Sequence, residues 1–234
     1  MKTKVTLLAT TTLAVLIAAA PAEAKGSGWY LNISGGANWL NDDSFSGTVA
    51  PDALSVTPDS DTGFIVSGAI GMSLASVLDG LRVEAEVAYR QNKVDGTWAS
   101  DTNTTAVGGN AVGRLDYDHS TLSVMANVWY DFDIGGVKPY VGGGIGWADT
   151  DLDGNYIATT PVAVRPLSFS DSGFAWQLGA GANFAISPNM SLGVGYRYFR
   201  GPDVTVGGSV AANGVTGDLE SQNHAAVVSL TFGM

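Results

Sequence analysis

The chain has 234 residues, 31 of them Gly and none Cys, with 11 basic and 22 acidic residues and a net charge of −11. Without Cys there are no disulfides or thiolate metal centres, and the acidic balance argues against a nucleic-acid partner. Beyond residue 24 no run of about 18 apolar residues is long enough to cross a bilayer as a helix.

Residues 1 to 24 read as a secretory signal peptide. Lys2 and Lys4 form the basic start, Leu7 to Ala20 the apolar core, and Ala22-Glu23-Ala24 a small-x-small cleavage site. Residues 25 to 234 are expected to form one domain, carrying nine basic and 21 acidic residues and a net charge of −12.

The rest of the chain alternates with a period of two, the spacing of strands. In residues 29 to 39, Trp29, Leu31, Ile33, Ala37 and Trp39 share one face, and Tyr30, Asn32, Ser34 and Asn38 the other. An acidic loop is expected over 40 to 62, with Asp42, Asp43, Asp59 and Asp61. A second strand sets Phe64, Val66, Ile70 and Met72 against Ser67, Ala69 and Ser73, and turns at Asp79-Gly80. The third, 81 to 92, opposes Val83, Ala85, Val87 and Tyr89 to Arg82, Glu84, Glu86 and Arg90; a loop over 93 to 118 follows. The fourth, 119 to 132, places Leu122, Val124, Val128, Tyr130 and Phe132 opposite Ser123, Met125, Asn127, Trp129 and Asp131. After a short turn, the fifth, 138 to 148, opposes Val141, Ile145 and Trp147 to Gly142, Gly144 and Gly146. A third loop is expected over 149 to 171.

Residues 174 to 199 are the most regular stretch. Phe174, Trp176, Leu178, Phe184 and Ile186 alternate with Gln177, Gly179, Gly181 and Asn183; Ser187-Pro188-Asn189 turns the chain. Then Leu192, Val194, Tyr196 and Tyr198 oppose Ser191, Gly193, Gly195 and Arg197. A fourth loop over 201 to 222 precedes the eighth strand, 223 to 232, with Val228, Leu230 and Phe232 on its apolar face.

The expected fold is therefore all-β: an eight-stranded antiparallel transmembrane up-and-down β-barrel, long loops at one end and short turns at the other. Aromatics bound the apolar band: Trp29, Trp39, Phe64, Tyr130, Phe132, Trp147, Trp176, Phe184, Tyr196, Tyr198 and Phe232 form the expected girdle. In a soluble barrel the apolar face would point inward, and the outer face would need charges. The opposite face here is mostly Gly, Ser, Ala and Asn, so the apolar rows are assigned to lipid. The charges Arg82, Glu84, Glu86, Arg90 and Arg197, with Asp131, then fall inside as a mutually compensating cluster.

The segments LRVEAEVAYR, KPYVGGGIGW, ISPNMSLGVGYRYF and VVSLTFGM, in that order, resemble the small OmpA-like outer-membrane β-barrel proteins of Gram-negative bacteria, especially the porin-family or surface-antigen barrels of alphaproteobacteria. The resemblance implies a cell outer membrane location, extracellular loops and periplasmic termini. It also implies contact with outer-membrane lipid and lipopolysaccharide, and recognition of the C-terminal strand by the barrel assembly machinery. In that family a terminal aromatic carries this signal; here Phe232 holds the place, followed by Gly233 and Met234. The resemblance extends to the barrel alone and implies no peptidoglycan anchor.

Catalytic candidates are sparse. His119 shares the interior face near the outer rim, and His224, near Ser221, shares the lipid face; neither is assigned a catalytic role. Asp149, Asp151 and Asp153 match the first half of a Ca²⁺ loop, D-x-D-x-D-G, but Thr160 stands where its final acidic ligand belongs. No cofactor is expected. The expectation is a monomeric, non-enzymatic surface barrel with a side-chain-filled lumen, whose acidic loops are bridged to lipid headgroups by divalent cations. The alternatives are a narrow diffusion porin, a host-directed adhesin or surface antigen, and a lipid A-modifying enzyme.

Overall fold

The computed structural model describes residues 28–41, 46–49, 52–100, 112–159, 162–208 and 215–234. The signal segment, Asp42, Asp43 and Thr160 lie outside them. The described residues form twelve strands: β1 Trp29–Leu40, β2 Ser46–Val49, β3 Asp52–Ser60, β4 Gly63–Ser73, β5 Leu81–Ser100, β6 Val112–Asp131, β7 Val137–Thr159, β8 Val162–Ser187, β9 Met190–Arg200, β10 Val204–Gly208, β11 Val215–Leu219 and β12 Gln222–Gly233. Eight of them close an antiparallel barrel in the order β1-β4-β5-β6-β7-β8-β9-β12, with β12 returning to β1.

Which face points out is decided by exposure. Val124, Val128, Ile145, Trp147, Phe174 and Leu178 are all more than half exposed on the outer wall, while their neighbours Met125, Asn127, Trp129, Ala175 and Gln177 are buried. An outer wall of Val, Ile, Leu and aromatics matches a hydrocarbon solvent, not water.

The interior differs from the expected lining of small residues. Tyr30, Met125, Trp129, Tyr140 and Phe199 all point inward and are buried. The glycines on facing strands make room for them. A Cβ on Gly142 would sit 2.7 Å from the Trp129 ring and collide with the Val128 carbonyl oxygen, and one on Gly181 would sit 2.6 Å from the Tyr140 hydroxyl. Small and large residues thus sit side by side on adjacent strands of the inner wall, which is how a narrow barrel fills.

The loop assignments over 40 to 62, 93 to 118, 149 to 171 and 201 to 222 are corrected. β5 and β6 continue far past 92 and 119, and β7 and β8 run to Thr159 and from Val162, so 149 to 171 is a strand hairpin. The other two segments contain β2, β3, β10 and β11. A membrane needs only about ten residues per tilted strand, which suits the 11 or 12 residues of β1, β4, β9 and β12. The 20 to 26 residues of β5 to β8 are at least twice what the membrane needs.

These overhangs build a second tier. Where β4 ends, β3 takes its place against β5, pairing Ser60 with Val94 and Leu54 with Ser100. β2 then pairs with β3, β11 with β2, and β10 with β11. Turn and Asx chemistry stays at the opposite end, where Gly80 and Gly135 adopt φ of 84° and 102°.

Candidate functional site

The predicted polar cluster does converge inside the barrel, because β5, β6, β8 and β9 deliver inward-facing residues to one level. Arg197 Nη1 donates to Glu86 Oε2 at 2.5 Å. Gln177 Nε2 donates to Glu86 Oε1 at 3.1 Å and to Asn127 Oδ1 at 2.7 Å. Arg90 donates to Ser123 Oγ at 2.9 Å, and its guanidinium carbon lies 3.7 Å from the Phe199 ring centroid. Glu86, Arg90 and Gln177 are each at most 2% exposed.

Toward the short-turn end lies a second group. Glu84 accepts from Arg82 at 2.6 Å and from Tyr30 Oη at 2.9 Å through Oε1, and from Trp129 Nε1 at 2.9 Å through Oε2. Arg82 Nε also donates to Asp131 Oδ2 at 2.8 Å, and the Arg82 guanidinium faces the Tyr140 ring at 5.2 Å. Arg82 and Arg197 thus pair with the three carboxylates, so that each carboxylate keeps an arginine partner, while Arg90 rests on Ser123 and the Phe199 ring. That is the condition under which buried charge is tolerated. A small polar recess of about 10 Å³ opens beside this group, lined by Asn32, Asn183, Ser229 and Arg197 among others.

Tyr140, Gln177 and Phe199 were missed as functional side chains by sequence reasoning. Gln177 was legible only as an inward residue; its role as bridge between Glu86 and Asn127 depends on cross-barrel distances that local pattern does not encode. Above these groups, Asn38 Nδ2 donates to Asn92 Oδ1 at 2.5 Å and to Asn223 Oδ1 at 2.8 Å, adding a third layer across the lumen.

The outer wall places the aromatic residues in two bands. Trp39, Phe64, Trp147, Trp176, Tyr196 and Tyr198 lie toward the long-hairpin end, and Trp29, Tyr130, Phe132, Phe184 and Phe232 toward the short turns. Tyr130 and Phe132 meet edge to face at 4.9 Å. His224 hydrogen-bonds Tyr196 on the outer face, whereas Ser221 is buried, so these two do not form the rim pair that a lipid-modifying site would need. His119 is buried on the inner side, past the upper aromatic band, and burial pushes its imidazole down to about 4.

The Ca²⁺ reading of Asp149, Asp151 and Asp153 is corrected. They alternate along extended β7 with all three side chains exposed outward and Thr150 and Leu152 buried between them. A cation loop must instead wrap its ligands around one point, and no group of three potential ligands is close enough among the described residues. Burial and then the flanking Asp149 and Asp153 push the Asp151 carboxyl up.

The family model for the outer membrane protein beta-barrel domain matches residues 8–232. The chain belongs to this outer-membrane β-barrel family. It is 33% identical over 95 residues to the outer membrane protein PagN of Salmonella typhimurium, a match covering 40% of this chain and 38% of PagN. The chain thus spans about two fifths of that relative's length. Among solved structures, OprG of Pseudomonas aeruginosa superposes with a TM-score of 0.53 at 16% identity, covering 89% of this chain and 97% of OprG. Neisserial surface protein A gives 0.47 at 17% identity, covering 89% and 98%. Family membership places the protein in the outer membrane.

Proposed function

We propose that this outer-membrane barrel is a non-enzymatic surface-recognition protein with a closed lumen, its β5 to β8 overhangs extracellular and its termini periplasmic. The single observation that carries the reading is the stack of buried polar layers across the lumen. Glu86, Arg90, Arg197, Gln177 and Asn127 span it with Phe199 and Met125 beside them, and Asn38, Asn92 and Asn223 span it above. A solute path would have to break these contacts, each removal leaving a buried charge or amide without its partner. What is left to act is the second tier, where rigid strands hold an exposed surface well beyond the bilayer.

The apolar wall is read as contacting outer-membrane lipid and, in the outer leaflet, lipopolysaccharide. Phe232 on β12 is read as the signal for the barrel assembly machinery, and the protein as a monomer. Planar-bilayer recordings of the refolded protein test the central claim. The expected result is no stepwise conductance; ohmic channels of porin size would overturn it.

A further inference from the structure

Among the described residues the second tier has an open seam, and its chemistry specifies what fits there. β8 pairs with β7 from Val162 to Phe184, but with β9 only from Trp176 inward. Among the described residues no ladder covers the other edge of β8 over residues 162–175, and β10, the last strand of the sheet, pairs only with β11. β10 comes near β8 without pairing with it, and just before β10 a Cβ on Gly173 would lie 3.2 Å from Pro202, a residue with no N–H to offer.

Two independent details show which groups face the seam. The Ser172 N–H donates at 2.8 Å to the Asp171 carboxylate and not to β7, so it points into the open edge. Strand geometry gives Val164, Pro166, Ser168 and Ser170 the same direction. Pro166, which lacks a donor, therefore sits where no β7 bond is lost, the position in which a strand tolerates proline. The side chains of these residues are exposed on the outer face.

The register sets a charge pattern beside that edge. Ser168, Ser170 and Ser172 stand directly opposite Asp153, Asp151 and Asp149 on the same outer face. An added strand would have its outward side chains next to the short serines and two strand spacings, about 10 Å, from the aspartates. A Lys or Arg side chain is long enough to lie over a serine and meet a carboxylate from that position, whereas a short or acidic side chain is not suited.

We propose that the free edge of β8, from Val164 to Ser172, is a docking site for an extended polypeptide segment carrying Lys or Arg at alternate positions, held by strand addition. The inference rests on the surface-recognition reading above and names the partner chemistry of that surface. Main-chain bonds to the open edge supply the register, and the Asp149, Asp151 and Asp153 row selects the sign of charge.

The experiment uses the full-length protein in nanodiscs and a fluorescent peptide of alternating Lys and Thr, followed by anisotropy. Saturable binding is expected, weakened about tenfold or more when the peptide is N-methylated at alternate backbone nitrogens, and by a similar factor in D149N/D151N/D153N. A Glu-Thr peptide should not bind. Equal binding of the N-methylated peptide would reduce the effect to charge alone and overturn strand addition. Unchanged binding by the Asn variant, or no saturation by about 1 mM, would overturn it equally. The N-methylated peptide decides the matter even if the variant fails to fold. A closed lumen combined with no peptide binding would reject this inference and leave the closed-barrel reading standing.

Discussion

The Arg90 guanidinium carbon lies 3.7 Å from the centre of the Phe199 ring, and both side chains are almost fully buried in the barrel lumen. Arg90 has one hydrogen bond to Ser123 and otherwise relies on the ring face, with Glu86 and Arg197 nearby. Phe199→Ala removes that face and leaves a cavity beside a buried charge. A loss of about 3–5 kcal/mol is expected, the range for burying such a void, read as a lower urea midpoint in refolded vesicles. Phe199→Leu, which keeps the volume but not the ring, should lose less. Equal stability of Phe199→Ala and wild type would show that the stack contributes nothing.

Glu86 is the carboxylate on which the middle polar layer converges. Glu86→Ala strands Arg197 and Gln177 together, and removal of one partner of a buried pair costs about 3–5 kcal/mol. The double variant Glu86→Ala with Arg197→Met should recover part of that loss, because no charge is then left alone. Double-mutant analysis of urea unfolding checks it; additive losses would mean that the pair is not coupled. Neither variant should open a large channel, since Trp129, Met125 and Phe199 still fill the cross-section.

The alternation of side chains was readable because each strand presents one face to lipid and one to a polar interior, and a period of two survives any tertiary detail. Val124 to Phe132 and Phe174 to Ile186 announced their outer faces in this way. The long hairpins were not readable, since Asp149-Thr-Asp-Leu-Asp-Gly has a loop composition and no apolar face to reveal a strand in water. Parity places Trp129 inward, but local pattern could not show that Gly142 stands opposite it or Gly181 opposite Tyr140. Their fit depends on the register of β6 with β7 and of β7 with β8, which pairs Trp129 with Gly142 and Tyr140 with Gly181.

That fit makes one glycine necessary and another dispensable. Gly142→Val would drive a side chain into the Trp129 ring and the Val128 carbonyl, both held by the barrel wall. The expected outcome is failure to fold, seen as loss of the gel shift between unboiled and boiled samples. Gly136→Ala, in a turn where an added Cβ meets nothing within 4 Å, should fold as wild type does. A folded Gly142→Val barrel would refute the claim that inward glycines exist to admit the aromatics.

Asp149, Asp151 and Asp153 face outward from β7 at alternate positions, and the repulsion among them falls mainly on Asp151. Among the described residues no cluster of cation ligands relieves it. Millimolar Ca²⁺ should therefore leave the thermal midpoint of the detergent-solubilised protein unchanged within error. Asp151→Asn should hold or slightly raise stability at neutral pH. A Ca²⁺-dependent rise of several degrees, abolished in Asp151→Asn, would restore the metal reading.

His119 gives the second tier a defined acid sensitivity. Burial holds its folded pKa near 4, while an unfolded His titrates near 6.5. Above 6.5 both states are neutral and the residue contributes no pH dependence. Between 6.5 and 4 the unfolded state binds a proton that the folded state refuses, so stability falls as pH falls through this window. Below 4 both states are protonated and the loss levels off. His119→Gln should flatten the stability profile between pH 6.5 and 4 without altering it above pH 7, as measured by urea titrations at half-unit pH steps. A profile equally steep in both proteins would assign the acid sensitivity to other groups.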